Sequence, residues 1–534
     1  MRYKFWWLLA LMLCVVLAGC GKSGDGTGNA ESRPAQGDPG RILTVLAGSE
    51  IKDIEPLLPQ IEKATGLHLQ MQYVGTLDAV EQLQNGANFD LAWLASSKYA
   101  MLTPGVRERV KGSERIMISP VVLGVKQQKA HELGWDDIAR PPTWQEIAQA
   151  AGAGKFRFGM TNPASSNTGF AAVLGLASAL SGKGEAMELA DIDFKTLGAF
   201  AHAQSVTAGS SGWLAELYQR EEESLDGMVN YASVMNALNA SGKLKDPLFL
   251  VYPRDGVLTA DYPLMLLNEQ KRSDYDRLVA YLKGQEFQAA MTKLSFRTPV
   301  NNAVLPAVAM PTYFEMAFPA KRAVIDGLLD AFLNTVRKSA DSTFVVDVSG
   351  SMTGERLQQL QTALLGLAGQ DTSLSGRFAR LHDRERISLL RFSSTVEDQR
   401  VWTMGTDTAS NSNTLKSFSA YVGNLHANGS TALYSAAQQA YQAALERQRR
   451  DPERLYTVLL MTDGQSNAGV SVEEFSAWIQ SLPPSQHKIR IYAVLFGEAS
   501  GGQLENITQP TGGRVFDANK GGLQAAFKEI RGYQ

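Results

Sequence analysis

Three short segments hold the side chains with the most chemistry in them. The run VVDVSGSM (345–352) sets one carboxylate and two hydroxyls, Asp347, Ser349 and Ser351, two residues apart. They follow a β-branched apolar stretch, Phe344 to Val346, that reads as a buried strand. The run NGSTAL (428–433) puts the hydroxyl of Thr431 just ahead of a helix, and VLLMTDG (458–464) ends a second apolar strand in Asp463. All five are hard oxygen donors. Carboxylates with hydroxyls suit Mg²⁺ or Mn²⁺, whereas thiolates and imidazoles select softer ions. Hydrolysis by a metal-activated water would also need a general base within reach. The six histidines (His68, His131, His202, His382, His426, His487) are scattered and show no metal-ligand spacing. There is no GxSxG elbow and no Walker A loop. Binding is therefore expected, and catalysis is not.

The surrounding pattern must bring these residues to one place. Strands are expected at 343–348, 386–392, 455–461, 489–496 and 514–516, with helices between them, notably 432–446 and 472–479. Leu357, Leu360, Leu364 and Leu367 share one helical face. Alternating strands and helices give a doubly wound α/β sheet, in which Asp347 and Asp463 lie at the carboxyl edge and Thr431 joins them. The three segments, in this order, resemble the metal-ion-dependent adhesion site of von Willebrand factor A domains, over about 340–534 and with no substitution at the five positions. The resemblance implies that Ser349, Ser351 and Thr431 coordinate the metal directly when ligand is bound, while Asp347 and Asp463 act partly through water. It also implies a protein partner that offers a carboxylate to the metal.

The preceding 41–336 opens with a strand, helix, strand, helix, strand order, which argues for a parallel sheet with crossover helices. Amphipathic residues predict a helix over 51–65. Small polar residues mark the strand ends, where ligands bind in such sheets. Ser165, Ser166, Asn167 and Thr168 open an apolar helix, which reads equally as an anion site or as plain capping. The runs FDLAWLASS (89–97), ISPVVLGV (118–125), PPTWQEI (141–147), TNPASSNTGF (161–170) and YPRDGVLTADYPLMLL (252–267) together resemble type II bacterial extracellular solute-binding proteins. The resemblance implies two α/β lobes that close on a small polar solute. Carried over by position, Ser49, Thr76, Ser166 and Thr168 would hold the solute. Val74-Gly75-Thr76 departs from the Gly-Gly-Ser pattern of oxyanion binders, which puts oxyanion specificity in doubt. Tyr231 and Ser233 fall either at a ligand-facing position or at a strand-to-helix cap.

Residues 1–19 read as a signal peptide: Arg2 and Lys4 precede a short apolar run, too short to span a bilayer comfortably. Leu17-Ala18-Gly19-Cys20 resembles a lipobox, which implies lipidation of Cys20 and a membrane anchor. Residues 20–40 are rich in glycine and polar residues and read as a tether. Of the two cysteines, Cys14 leaves with the signal peptide, so no disulfide is expected. A net charge of −3 gives no reason to expect a nucleic-acid surface. The expectation is an envelope lipoprotein on the extracytoplasmic face of the plasma or outer membrane, in which a solute-binding-like domain is coupled to a metal-dependent protein-binding domain. The alternative is the solute receptor of an ABC importer with the second domain as a docking module. An assembly factor that recruits a protein through Mg²⁺ is a third.

Overall fold

A computed structural model describes residues 41–499, 501–519 and 521–534. The signal peptide, the Cys20 anchor and the tether lie outside the described residues. Among those described, no helix is long and apolar enough to cross a membrane.

Lobe 1 is built on β1 (Arg41–Gly48), β2 (Leu67–Val74), β3 (Leu91–Trp93) and β4 (Gly112–Arg115). Lobe 2 holds β5 (Met117–Lys126), β6 (Phe158–Thr161), β7 (Gln204–Ala208), β8 (Gly227–Tyr231), β9 (Leu248–Val251) and β10 (Thr259–Ala260). The chain then returns to lobe 1 as β11 (Pro263–Leu266), and β12 (Thr298–Pro299) pairs back onto β5. The lobe 1 order is β2-β1-β3-β11-β4, with β1, β2 and β3 parallel and β11 antiparallel. Lobe 2 runs β10-β5-β8-β6-β7. The segment over 51–65 is not one α-helix. It is a 3₁₀ stretch, Ser49–Leu57, followed by an α-helix, Leu58–Thr65. Pro56 and Pro59 lack the N–H groups that an unbroken α-helix would use, so the chain tightens ahead of them.

The second domain holds β13 (Ala340–Asp347), β14 (Arg386–Phe392), β15 (Val396–Thr403), β16 (Leu455–Thr462), β17 (Arg490–Leu495) and β18 (Val515–Asp517). Their order is β15-β14-β13-β16-β17-β18, parallel except for the edge strand β15. This is the doubly wound order, with the chain reversing direction between β13 and β16. Every residue of β13 is buried. Phe344 and Val346 pack into one apolar layer and Val345 into the other, as the two-residue period of a strand requires. The layers are closed by the Glu355–Leu365 and Gly522–Arg531 helices on one face and the Leu433–Arg450 helix on the other.

The second domain packs on both lobes. The Ser375 N–H donates to Glu81 of lobe 1 at 2.7 Å, and Arg490 Nη2 donates to Glu221 of lobe 2 at 2.7 and 2.9 Å. Arg490 opens β17, and Leu455, which opens β16, lines a recess with Thr161 and Asn162 of lobe 2. The amino edge of the second sheet thus faces lobe 2, and its carboxyl edge points the other way.

Candidate metal centre and interlobe cleft

The carboxyl edge of β13 and β16 gathers the five predicted oxygen donors. Asp347, the last residue of β13, is fully buried. Its Oδ1 accepts from the Ser349 N–H at 2.7 Å and its Oδ2 from Thr462 Oγ1 at 2.6 Å. Burial pushes the Asp347 carboxyl above its usual range, and the charge of Asp463 adds to the rise against the hydrogen bonds from Thr462 and Ser349. The Ser349 and Ser351 hydroxyls lie 3.1 Å apart, and Ser351 Oγ donates to Asp463 Oδ1 at 2.7 Å.

Thr431 is fixed by its own N–H, which donates to Asn467 Oδ1 at 2.8 Å. A Cβ placed on Gly464 would stand 3.4 Å from Ser351 Oγ and 3.8 Å from Thr431 Oγ1, so both hydroxyls converge on one point. The Gly350 N–H donates to the Gly429 carbonyl at 2.9 Å, tying the first loop to the second. Gly429 has φ +73°, and a side chain there would strike Ser394 Oγ at 2.7 Å, so that loop position requires glycine.

Sequence reasoning missed Arg356, one residue into the Glu355–Leu365 helix. Its Nη1 donates to Asp463 Oδ2 at 2.6 Å, and its Nη2 reaches Glu498 at 3.4 Å. Arg356 therefore supplies positive charge to Asp463, one of the two facing carboxylates. The signal was present as an arginine in the first turn after the serine loop, but its partner lies 107 positions away. The donor chemistry fits a hard divalent ion: two buried carboxylates and three hydroxyls, with Ser351 exposed to solvent. Among the described residues no three His, Cys, Asp or Glu side chains form a metal-holding group, so the fit rests on the hydroxyls.

In the cleft, the structure distributes the predicted solute residues differently. Ser49 Oγ donates to Glu50 Oε2 at 3.3 Å, and Tyr231 Oη donates to Glu50 Oε1 at 3.1 Å. Thr168 is fully buried and bonds Thr161 and Ser166 at 2.8 and 3.1 Å, so the hydroxyls of Ser166 and Thr168 are used inside lobe 2. Thr76 lines a separate recess of about 20 Å³ with Ser96 and Asn167. Ser233 bonds Ser119 through both its hydroxyl and its N–H. Glu50 and Arg297, neither of them predicted, lie on a cavity of about 730 Å³ along with Ser49 and Ser165. Its outer wall is the second domain, through Ser375, Arg514, Lys528 and Glu529. The lobes themselves are in contact: a Cβ on Gly75 of lobe 1 would stand 3.0 Å from the Ser165 carbonyl of lobe 2.

Comparison with known proteins agrees with this division. Residues 43–297 match the family model "bacterial extracellular solute-binding protein", and residues 341–529 match that of the von Willebrand factor type A domain. Among curated proteins, inter-alpha-trypsin inhibitor heavy chain H4 of Sus scrofa is 27% identical over 190 residues, covering 34% of this chain and 19% of that protein. The chain thus spans about a fifth of the length of that relative. Among solved structures, the periplasmic binding protein P5PA is 16% identical with a TM-score of 0.42, covering 56% of this chain and 100% of its own. A von Willebrand factor type A structure from Catenulispora acidiphila is 20% identical with a TM-score of 0.28, covering 37% of this chain and 43% of its own. Residues 43–297 are thus similar to bacterial extracellular solute-binding proteins and residues 341–529 to von Willebrand factor type A domains, each with an α/β fold.

Proposed function

We propose that this protein is a membrane-anchored, extracytoplasmic binding protein that captures a protein partner at a Mg²⁺ or Mn²⁺ held by Asp347, Ser349, Ser351, Thr431 and Asp463. One observation carries the reading: the five oxygen-bearing residues meet at the sheet edge opposite the one packed on lobe 2. A partner can approach there without displacing the lobes. When bound, the cation supplies a positively charged position for a carboxylate of the partner. The residues present do the remaining work. Asp347 and Asp463 provide negative charge from buried positions, and Thr462 and the Ser349 N–H hold Asp347 in orientation. The hydroxyls are neutral donors that leave the ion short of anionic ligands. We assign the protein no reaction.

The importer reading has less support, since solute leaving the cavity would have to pass a wall formed by the second domain. Anchoring through Cys20 is part of the proposal and is checked by metabolic labelling with a fatty acid, which Cys20→Ala should abolish. The metal reading is checked by calorimetry on the purified full chain. Mg²⁺ or Mn²⁺ should bind with measurable heat, and Asp463→Ala and Asp347→Ala should each remove it while the chain stays folded. Absence of heat, together with a melting temperature unchanged by chelator, would exclude a metal-dependent function.

A further inference from the structure

The cleft residues converge on a group that belongs to the chain itself. Glu50 follows β1 of lobe 1, and Tyr231 ends β8 of lobe 2. Their 3.1 Å hydrogen bond therefore crosses between the lobes. Asn167 Nδ2 donates to Tyr231 Oη at 3.0 Å, which leaves the Tyr231 proton for Glu50 Oε1. Ser49 occupies Oε2 from the lobe 1 side. Arg297, only 1% exposed, donates through Nη2 to the Glu50 carbonyl at 2.8 Å and through Nη1 to Asp53 at 2.7 Å. Its guanidinium lies 4.4 Å over the Tyr262 ring. The Tyr262 hydroxyl also interacts with the Arg297 guanidinium, and both residues are buried.

Backbone strain gathers at the same place. Tyr262, at the crossing from lobe 2 to lobe 1, has φ +42°, and Phe296, next to Arg297, has φ +59°. Bulky residues adopt this region at a cost, and such outliers cluster at ligand clamps and functional sites.

We propose that the lobe junction is a carboxylate-binding site and that Glu50 occupies it in cis, in the place of a free carboxylate ligand. Donors from both lobes meet one carboxylate, which is the arrangement a bound solute would otherwise complete. The lobes are thereby held together by a tie that needs no solute. An external ligand for this junction must carry a carboxylate and displace Glu50. Burial, the largest influence on Glu50, raises its pKa against the opposing hydrogen bonds from its backbone and Tyr231 and the charge of Arg297. Its occupancy of the site thus has an internal cost that a competitor can exploit.

Acetate is the probe. Titrations use the full chain in chelator at constant ionic strength, with chloride as the control, so the outcome is independent of the metal centre. Glu50→Ala should bind acetate at least about tenfold more tightly than the wild-type chain, because the internal competitor is gone. Tyr231→Phe in that background should weaken acetate binding by about tenfold, as expected for a lost hydrogen bond to a charged group. Small-angle scattering should show Glu50→Ala expanded in chloride and compact in acetate. Glu50→Gln keeps an acceptor for Tyr231 and should stay compact in both. Acetate affinity equal in wild type and Glu50→Ala, or unaffected by Tyr231→Phe, overturns the proposal. Should Glu50→Ala fold poorly, refolding yield becomes the readout: a higher yield in acetate supports the site, and equal yields in acetate and chloride overturn it.

Discussion

At the scale of single residues, the proposed metal centre turns on Asp463. One of its oxygens takes the Ser351 hydroxyl and the other takes Arg356. Arg356 offsets the charge of a fully buried carboxylate, and it also opposes a cation arriving at the same group. Arg356→Ala should therefore lower the melting temperature in chelator while raising Mg²⁺ affinity, by about tenfold for an ion pair near the surface. Calorimetry and thermal melts read both effects. A variant with unchanged Mg²⁺ affinity would mean that the arginine is bound to Asp463 without influencing the ion. The five donors were legible because each belongs to a short run at a strand or helix end. Arg356 and Glu50 were not. Their significance depends on partners 107 and 181 positions away, and local pattern carries no such information.

At the scale of elements, apolar periodicity located the buried strands well. Strand β14 has the bounds expected for it, and β16 differs by one residue at its end. Edge strand β15 escaped because it is largely exposed and charged, with neither an apolar run nor a regular alternation to mark it. The 3₁₀ segment after β1 escaped because amphipathic spacing outweighed the prolines. Asp347 ends β13 and Asp463 directly follows β16. Leu460, fully buried next to Val345 in the parallel pairing, packs under this edge. Leu460→Ala should destabilise the chain by about 2–5 kcal/mol. Denaturant titration measures the loss, and Mg²⁺ should recover part of it if the folded edge is what binds. A loss well under this range would show that the edge relaxes around the cavity.

At the scale of the whole molecule, a buried charged cluster ties the linker between the domains to the second domain. Glu385 accepts from Arg531 Nη2 at 2.8 and 2.9 Å and from Arg337, which leads into β13. Burial alone would raise the Glu385 pKa, but the charges of Arg531 and Arg337 override it and hold the group at about 2, from an ordinary 4.5. His382 is held at about 3, from an ordinary 6.5, by burial first, with Arg531 and Arg337 also lowering it against the pull of Glu385. Both shifts have the same consequence. Below pH 6.5 the unfolded chain protonates His382 while the folded chain does not, so stability falls as pH drops toward 3. Below 4.5 the unfolded chain also protonates Glu385, and the stability from its arginine pairs is lost as pH falls toward 2. Thermal melts from pH 7 down to pH 3 should therefore show a decline that steepens below about pH 4.5. Glu385→Gln should cost about 3–5 kcal/mol at neutral pH, since Arg337 and Arg531 would remain buried without a counter-charge. It should also flatten the slope below pH 4.5 and leave the His382 portion in place. A variant with the wild-type acid slope would place the acid sensitivity elsewhere in the molecule.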